Sequence, residues 1–591
     1  MERRRIRATA VLASLAALVT LTTGASTRAA EPVKEPTATG TGGAAATVDV
    51  LATHAAVQAL RDGANAVDAA VVAAGVLGVV EPFSCGIGGG GFLVIRTSDG
   101  SVTTIDHRET APAAMRPDSF WEGGRPLAFT PARFSGLSVG VPGTVRGWDE
   151  ALRRYGTMSL REALQPAIEI AREGFVVDQI FFNQTQANVD FFDDITSTRA
   201  LYLDPDGTPR DVGTVFRNPS LAGAYERIAH LGAKGFYRGA VADAMVDAVR
   251  NPPVAPDASN VWRPGLMTMR DVKNYVAPER PPTRIGYRGL DVYGMGPPSS
   301  GGSTEGEALN ILEGFSLGPV DRTQALHLFL EASRFSFADR GAYLADPDFF
   351  DVPLTGLLSD GFAAERRDLI DPDRASAHPA APGDPYPHNT AGQPAATATT
   401  GGGTTHLTVS DGDGNVASYT FTIESIGGNG VVVPGWGFLL NNELTDFNFD
   451  SLTHPNKVEG GKRPRSSMSP TIVLDDGRPL LALGSPGGSM IITTVLQVLL
   501  ERLDLGATLP QAIAAPRASQ RNTATTVAEP AFVDSPEGQT LDDDEEYGHA
   551  FSTTSEIGAV TAIEFLGGGR VLAAAEPQRR GGGSAMVEEP G

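Results

Sequence analysis

The sequence predicts an α+β protein. Apolar residues recur with helical spacing at 52–82, 158–175 and 324–343, whereas 86–112 and 404–425 read as strands joined to glycine-rich turns. With 41% hydrophobic and 20% charged residues, the chain can bury a large core and is not disordered as a whole.

In chain order, Arg3, Arg4, Arg5 and Arg7 precede a short Ala/Thr-rich apolar run and small residues near Ala29, the pattern of a secretory leader over 1–29. The apolar run is too short and too mixed for a comfortable membrane span. Residues 31–47 read as a Pro/Thr/Gly/Ala tether. The 52–82 stretch reads as two packed helices, with Gly63 ending the first and Asn65 opening the second. The glycines at 86–91 lead into a strand whose partner is TTIDHRETAP, at 103–112. Although Gly86, Gly88 and Gly91 satisfy G-x-G-x-x-G, they neither follow a strand nor open a helix, so a nucleotide loop is rejected. Residues 372–403 lack apolar periodicity and read as a loop or disordered segment.

Composition excludes several classes of function. The formal net charge of −23 disfavours nucleic acid and anionic lipid as partners. A single cysteine, Cys85, permits no internal disulfide and no Cys-based zinc or iron–sulfur site. The nine histidines show no metal-ligand spacing. No cofactor or metal is expected. At 591 residues the chain has the length of about four ordinary domains.

The abrupt return of strand character at Thr404 carries the chemistry. TTHLTVSDGDGNVASYTFTIES, 404–425, reads as strand, DGDG turn, strand. With Asp411 to Gly414 as the turn, Ser410 pairs with Asn415 and Thr404 lies opposite Phe421 or Thr422. Ser418, Thr420 and Thr422 then share a hydroxyl-bearing face, and Tyr419, Phe421 and Ile423 the other. A threonine hydroxyl is a poor nucleophile without a base. Cleavage of the Gly403–Thr404 bond would supply one, because a freed α-amine has a pKa near ~7.7–8.0, against ~10.4 for lysine.

Residues 404–425 resemble the processing-site signature of the γ-glutamyltranspeptidases, members of the N-terminal nucleophile hydrolases. Further blocks follow in family order: DHRETAP (106–112), SVGVPGTVRGW (138–148), YGTMSLREALQPAIEIAREGF (155–175), GPPSSGG (296–302), EASRFSFADRGAYLADPDF (331–349), GFLLNNELTDF (437–447), KRPRSSMSP (462–470), LGSPGGS (483–489) and QRRGGGSAM (578–586). The resemblance implies one four-layer αββα sandwich in place of four domains. It also implies a precursor that cleaves itself into a large subunit, 30–403, and a small subunit, 404–591, paired as a heterodimer. By the same resemblance Thr404 is the nucleophile, Thr422 positions it, and the N–H groups of Gly487 and Gly488 hold the oxyanion. Arg108, Ser466 and Ser467 correspond to the carboxylate-binding residues, and Glu443 and Asp446 to the acids that hold the α-ammonium.

Three departures bear on specificity. Glu424 stands where the family usually has Asn, so three acids surround one ammonium. Ile426 replaces an aromatic. The stretch 448–461 is shorter than in relatives that carry a lid, which implies an open cleft and strong competition from hydrolysis. The resulting expectation is an exported γ-glutamyl hydrolase/transferase acting on glutathione-like donors, with water, amino acids or peptides as acceptors. The alternatives are a glutaryl-type acylase, or an uncleaved binding protein of the same fold. Cys85 and His406 are expected to be structural, and the acidic run 542–546 to be a solvated loop.

Overall fold

A computed structural model describes residues 33–318, 321–376, 379–389 and 403–591. The expected leader, 1–29, lies outside the described residues, as do 390–402 of the segment before Thr404. Among the described residues no helix is long and apolar enough to cross a membrane.

The sandwich is built on one long ladder that doubles back on itself. Its elements are β1 (Thr37–Thr47), α1 (Val50–Arg61), α2 (Ala66–Val80), β2 (Gly90–Arg96), β3 (Val102–Asp106), β4 (Thr283–Tyr287), β5 (Leu290–Gly294), α3 (Gly301–Glu313), α4 (Arg322–Tyr343), β6 (Thr405–Ser410) and β7 (Val416–Thr422). Then follow β8 (Thr471–Asp475), β9 (Arg478–Gly484), α5 (Met490–Leu503), β10 (Thr561–Gly567), β11 (Arg570–Ala575) and β12 (Ser584–Pro590). The ladder runs β3-β2-β7-β6-β1-β11-β10-β9-β8-β5-β4, with a short strand beyond β3 and with β12 also paired to β1. Strands β6 and β7 face β9, α1 and α2 cover one outer surface, and α3 and α5 cover the other. This is the expected αββα sandwich, formed as one body.

Side-chain alternation explains the layers. Leu407, Val409, Tyr419 and Phe421 point into a core shared with α1 and α2. Burial of each such side chain stabilises by about 1.5–3 kcal/mol. The opposite faces of β6 and β7 carry hydroxyls. Ser418 Oγ donates to Leu483 O of β9 at 3.0 Å, and Thr408 Oγ1 to Thr561 O of β10 at 3.1 Å. His406 sits between Thr420 Oγ1 (2.7 Å) and Thr408 Oγ1 (3.1 Å), and burial lowers its pKa to about 3, so it is neutral and structural.

The helix boundaries follow the sequence reading closely. Asn65 caps α2 with a reciprocal bond from its own N–H to Asp68, and Gly63 adopts a positive φ of 93° after α1. The 158–175 stretch splits into Leu160–Ala163 and Gln165–Glu173, with Pro166 in the first turn of the second piece. The glycine run at 86–91 serves close approach: a Cβ on Gly89 would lie 1.8 Å from Thr422 O, and one on Gly88 would lie 1.9 Å from Leu439 O.

One expectation needs correction. The tether at 31–47 contains β1, a central strand paired with β6, β11 and β12. Its Ala44, Ala45 and Ala46 are fully buried. Small side chains are what a strand hemmed in on every side requires, and the same composition imitates a linker. The described part of 372–403 is irregular but held. Gly383 N donates to Asp339 Oδ1 at 2.5 Å, Tyr343 Oη to Gly383 O at 2.6 Å, and Arg366 Nη2 to Ala381 O at 2.8 Å. These hydrogen bonds anchor it, together with Ala380 and Tyr386 packed against the core. Cys85 is buried and burial raises its pKa well above the ordinary thiol range, so it is inert. Residues 542–546 are exposed, as expected.

Ala45→Phe tests the placement of β1. Overpacking should cost about 1–3 kcal/mol in chemical denaturation; a tether would give no change.

Candidate active site

The register of β6 and β7 pairs Thr405 with Phe421 and Ser410 with Val416, one residue from the pairing expected of Ser410. The turn is longer because the Asp411 carboxylate collects Asp413 N (3.0 Å) and Asn415 N (2.9 Å). Continued one step, the register sets Thr404 opposite Thr422.

The consequence is a small constellation around one carbonyl. Gly403 is joined to Thr404, and its carbonyl oxygen accepts from Thr404 Oγ1 at 2.5 Å and from Thr422 Oγ1. The two hydroxyl oxygens are 3.3 Å apart, and Glu424 N donates to Thr422 Oγ1 at 2.8 Å. Gly403 has no room for a side chain, since a Cβ would lie 2.5 Å from both Glu424 O and Ile426 N. Arg580 Nη1 donates to Thr404 O at 2.5 Å and Nη2 to Ser84 Oγ at 3.0 Å, tying the residue to two distant segments. Sequence reading missed this arginine, which differs from its neighbour Arg579 only in where the fold points it.

A small polar cavity opens beside this carbonyl. Its lining includes Gly403, Thr404, Thr422, Glu424, Glu443, Asp446, Arg108, Ser466, Ser467 and Gly488. Gly487 borders an adjoining, larger and more open cleft, which also touches Gly403, Ile426 and Arg580. Gly487 and Gly488 have φ of 135° and 59° and precede the 14-residue helix α5; Met490 N and Ile491 N turn back onto their carbonyls (3.2 and 3.1 Å), and the positive end of the helix dipole faces this turn. That is a place where negative charge on oxygen is stabilised. No residue from 448–461 lines the first cavity.

The charged wall differs from expectation in one respect. Arg108, almost fully buried, forms ion pairs with Glu443 and Asp446, the two acids expected to hold an ammonium. Its remaining contacts run from Nε to Pro464 O (3.2 Å) and from Nη2 to Arg465 O (3.3 Å). Burial opposes the Arg108 charge, but Glu443 and Asp446 outweigh it and raise its pKa. Its neighbour Glu109 makes no ion pair with it among the described residues; burial, the dominant influence, raises that carboxyl to about 8. Ser467 Oγ accepts from Arg340 Nη2 at 2.6 Å, and Ser466 Oγ from Met468 N at 3.1 Å.

Glu424 sits at a positive φ of 77°, a strained conformation for a side chain of its size. Ser425 Oγ donates to its Oε2 at 2.5 Å, and Asn442 Nδ2 donates to the same oxygen. Burial, then the charge of Asp446, raises its pKa to about 7. Ile426 is half-buried against the Phe83 cluster, and Arg133 Nη2 donates to its carbonyl at 2.5 Å. An arginine bracing the backbone thus supports the turn behind Glu424. Among the described residues no group of three or more His, Cys, Asp or Glu side chains is arranged to hold a metal ion.

Residues 52–586 match the family described as Gamma-glutamyltranspeptidase. The chain is 38% identical over 494 residues to a glutathione hydrolase proenzyme of Bacillus subtilis (strain 168), covering 81% of this chain and 80% of that one. It is 36% identical over 499 residues to the acylase ACY 1 proenzyme of Pseudomonas sp. (strain V22), covering 82% and 83%. Among solved structures, cephalosporin acylase from Bacillus halodurans superposes with a TM-score of 0.82 at 28% identity, covering 95% of this chain and 99% of that one.

The Glu424 environment generates a pH prediction. Its proton is lost as pH rises through about 7, which adds negative charge to the wall. KM for a donor carrying an α-ammonium should therefore fall as pH rises through that range, while KM for a glutaryl donor, which lacks the ammonium, should rise. In Glu424→Gln both trends should flatten; steady-state kinetics between pH 5.5 and 8.5 measures this.

Proposed function

Because the chain belongs to the γ-glutamyltranspeptidase family, we propose a two-stage use of Thr404 in a γ-glutamyl hydrolase and transferase. The observation that carries the reading is the convergence of the Thr404 and Thr422 hydroxyls on the Gly403 carbonyl.

In the first stage Thr404 Oγ attacks the Gly403 carbonyl carbon. The Oγ–C bond forms, the C–N bond breaks and the hydroxyl proton passes to the departing nitrogen, giving an ester and a free α-amine. Thr422 donates to the carbonyl oxygen as it gains charge. Water then cleaves the ester, leaving Gly403 as a carboxylate and Thr404 as a new N-terminus.

In the second stage the freed amine takes the Thr404 Oγ proton, and Oγ attacks the γ-carbonyl of the donor. The N–H groups of Gly487 and Gly488 stabilise the oxyanion, and the ammonium returns its proton to the leaving amine. Each donor of this kind is worth about 2.7–4 kcal/mol of barrier. The larger cavity on the Gly487 side gives the leaving group and an incoming amine a path. Water or that amine then releases the acyl group. Glu443, Asp446 and Glu424 form the wall for the donor's α-ammonium, and Arg108, Ser466 and Ser467 lie at its carboxylate end. Glutathione-like γ-glutamyl amides are the donors we infer, and leader-directed export places the enzyme outside the cytoplasm. The full-length likeness to a cephalosporin acylase favours a second reading, in which dicarboxylic acyl donors without an amine are also accepted.

Thr404→Ala should remain one chain without turnover. Thr422→Val, which removes only a hydroxyl, should slow self-cleavage by about 10²–10³-fold on a time-resolved denaturing gel. With no residue of 448–461 on the cavity, hydrolysis should exceed transfer at low acceptor concentration, measured as free glutamate against γ-glutamyl dipeptide.

A further inference from the structure

The turn that approaches Thr404 from the side away from the acyl cavity holds a single cation against it. Arg580 adopts a φ of 54°, a left-handed conformation that favours glycine, and Gly581 and Gly582 follow at 75° and 76°. Arg580 N donates to Glu556 Oε2 at 2.9 Å, and Gly583 N to Glu576 O at 2.7 Å. The neighbouring Arg579 is taken up by ion pairs with Glu529 (2.5 Å) and Glu576 (3.0 Å). Arg580 is half-buried and forms no ion pair among the described residues. Its guanidinium instead bridges two neutral oxygens, Thr404 O (2.5 Å from Nη1) and Ser84 Oγ (3.0 Å from Nη2). Ser84 Oγ in turn donates at 3.1 Å to Oε2 of Glu81, the residue that ends α2.

A positive charge therefore sits on the carbonyl of the residue whose nitrogen cleavage would release. Backbone bond lengths keep N and O of one residue within about 4 Å, so the guanidinium lies roughly 6 Å from that nitrogen. A like charge at this range disfavours an ammonium. Burial acts in the same direction, since Thr404 is only 4% exposed. An ordinary α-amine, with a pKa of ~7.7–8.0, is mostly protonated at pH 7 and unable to take the Oγ proton. The remaining charges around Thr404 do not supply this bias. On the acyl side Glu424, Glu443 and Asp446 stand against Arg108, Arg340 and Arg465. On the other side Glu556 is exposed and screened by water. Behind Arg580, burial raises the Glu81 pKa, Arg580 and Lys34 oppose that rise, and Asp49 and Asp178 add to it.

We propose that Arg580 is a positioning residue for turnover: braced by Ser84 and Glu81, it fixes the Thr404 main chain after the cut and keeps the freed amine neutral, ready to accept the Oγ proton. The proposal rests on the reading of Thr404 as a nucleophile whose own amine is the base. Arg580 exchanges no proton. The amine takes the proton of Thr404 Oγ as the Oγ–C bond forms. The resulting ammonium, repelled by Arg580, gives that proton to the leaving nitrogen as the C–N bond breaks. A base serves both transfers best when its pKa lies near the working pH, about one unit below that of an ordinary α-amine. Before cleavage Thr404 N is an amide that does not titrate, so the charge of Arg580 acts only afterwards, whereas its hydrogen bonds act throughout.

The pH dependence of kcat in processed enzyme tests this, with saturating γ-glutamyl-p-nitroanilide so that the effect of Glu424 on KM drops out. Arg580→Gln, which keeps hydrogen-bond donors without the charge, should move the acid limb up by about one pH unit. Arg580→Lys, which keeps the charge without the fork, should bring the limb back to within about 0.3 unit of wild type. A purely structural role predicts a lower kcat in both variants with the limb unmoved, and that result overturns the proposal. If Arg580→Gln stays uncleaved, the wild-type enzyme carries the test. Carbamylation of the Thr404 amine by cyanate, followed by peptide mass across pH, should then titrate about one unit below the ordinary ~7.7–8.0, and titration within or above that range overturns the proposal. A small subunit that does not begin at Thr404, or processed wild-type enzyme that leaves the reporter intact, would instead sink the underlying reading of Thr404.

Discussion

The hydrogen bond from the Thr422 hydroxyl to the Gly403 carbonyl is the contact on which the rest of the site depends. It exists only because β6 and β7 pair in one register, and a slip by one residue would turn Thr422 into the apolar core and bring Phe421 to the carbonyl. The register is held from several sides: by the Asp411 turn, by Tyr419 and Phe421 against α2, and by Ser418 and Thr408 reaching the second sheet. A hairpin whose two strands are buried on both faces is stiff. That stiffness lets a weak nucleophile be presented to a carbonyl with little further ordering.

Around that rigid centre the energetics are electrostatic. The surface as a whole is acidic, yet the cavity gathers arginines from three separate segments. Glu443 and Asp446 neutralise one of them, while Glu424 sits near its titration point because burial and Asp446 oppose its charge. Such a site is incomplete when empty. The charges left over are those of a zwitterion in reverse, which is a physical reason for an amino-acid-like acyl group to bind there in one orientation.

Much of this was legible in the chain, for reasons that differ from element to element. Asn65 and Gly63 mark a helix–helix junction through local backbone chemistry, and local chemistry survives folding. The hairpin was visible from alternation, but its turn came out one residue longer because Asp411 captures two N–H groups on its far side. Strand β1 was read as a linker, since Gly, Ala and Thr carry weak strand preference and only the crowding of three neighbours makes them suitable. The roll of residues around Thr404 came from ordered blocks, whereas the partners of those residues did not. Nothing in the order of residues 578–586 says that Arg580, and not Arg579, reaches the Thr404 carbonyl, or in that of 106–112 that Arg108 pairs with Glu443 and Asp446. Those are properties of distances between segments more than a hundred residues apart.

The account stands on Thr404 gaining a free backbone amine. N-terminal sequencing with intact mass of the fully active protein measures this most directly. The predicted result is two fragments, the smaller one beginning Thr-Thr-His at Thr404. Full activity in an unbroken chain, with Thr404 still bonded to Gly403, would contradict it.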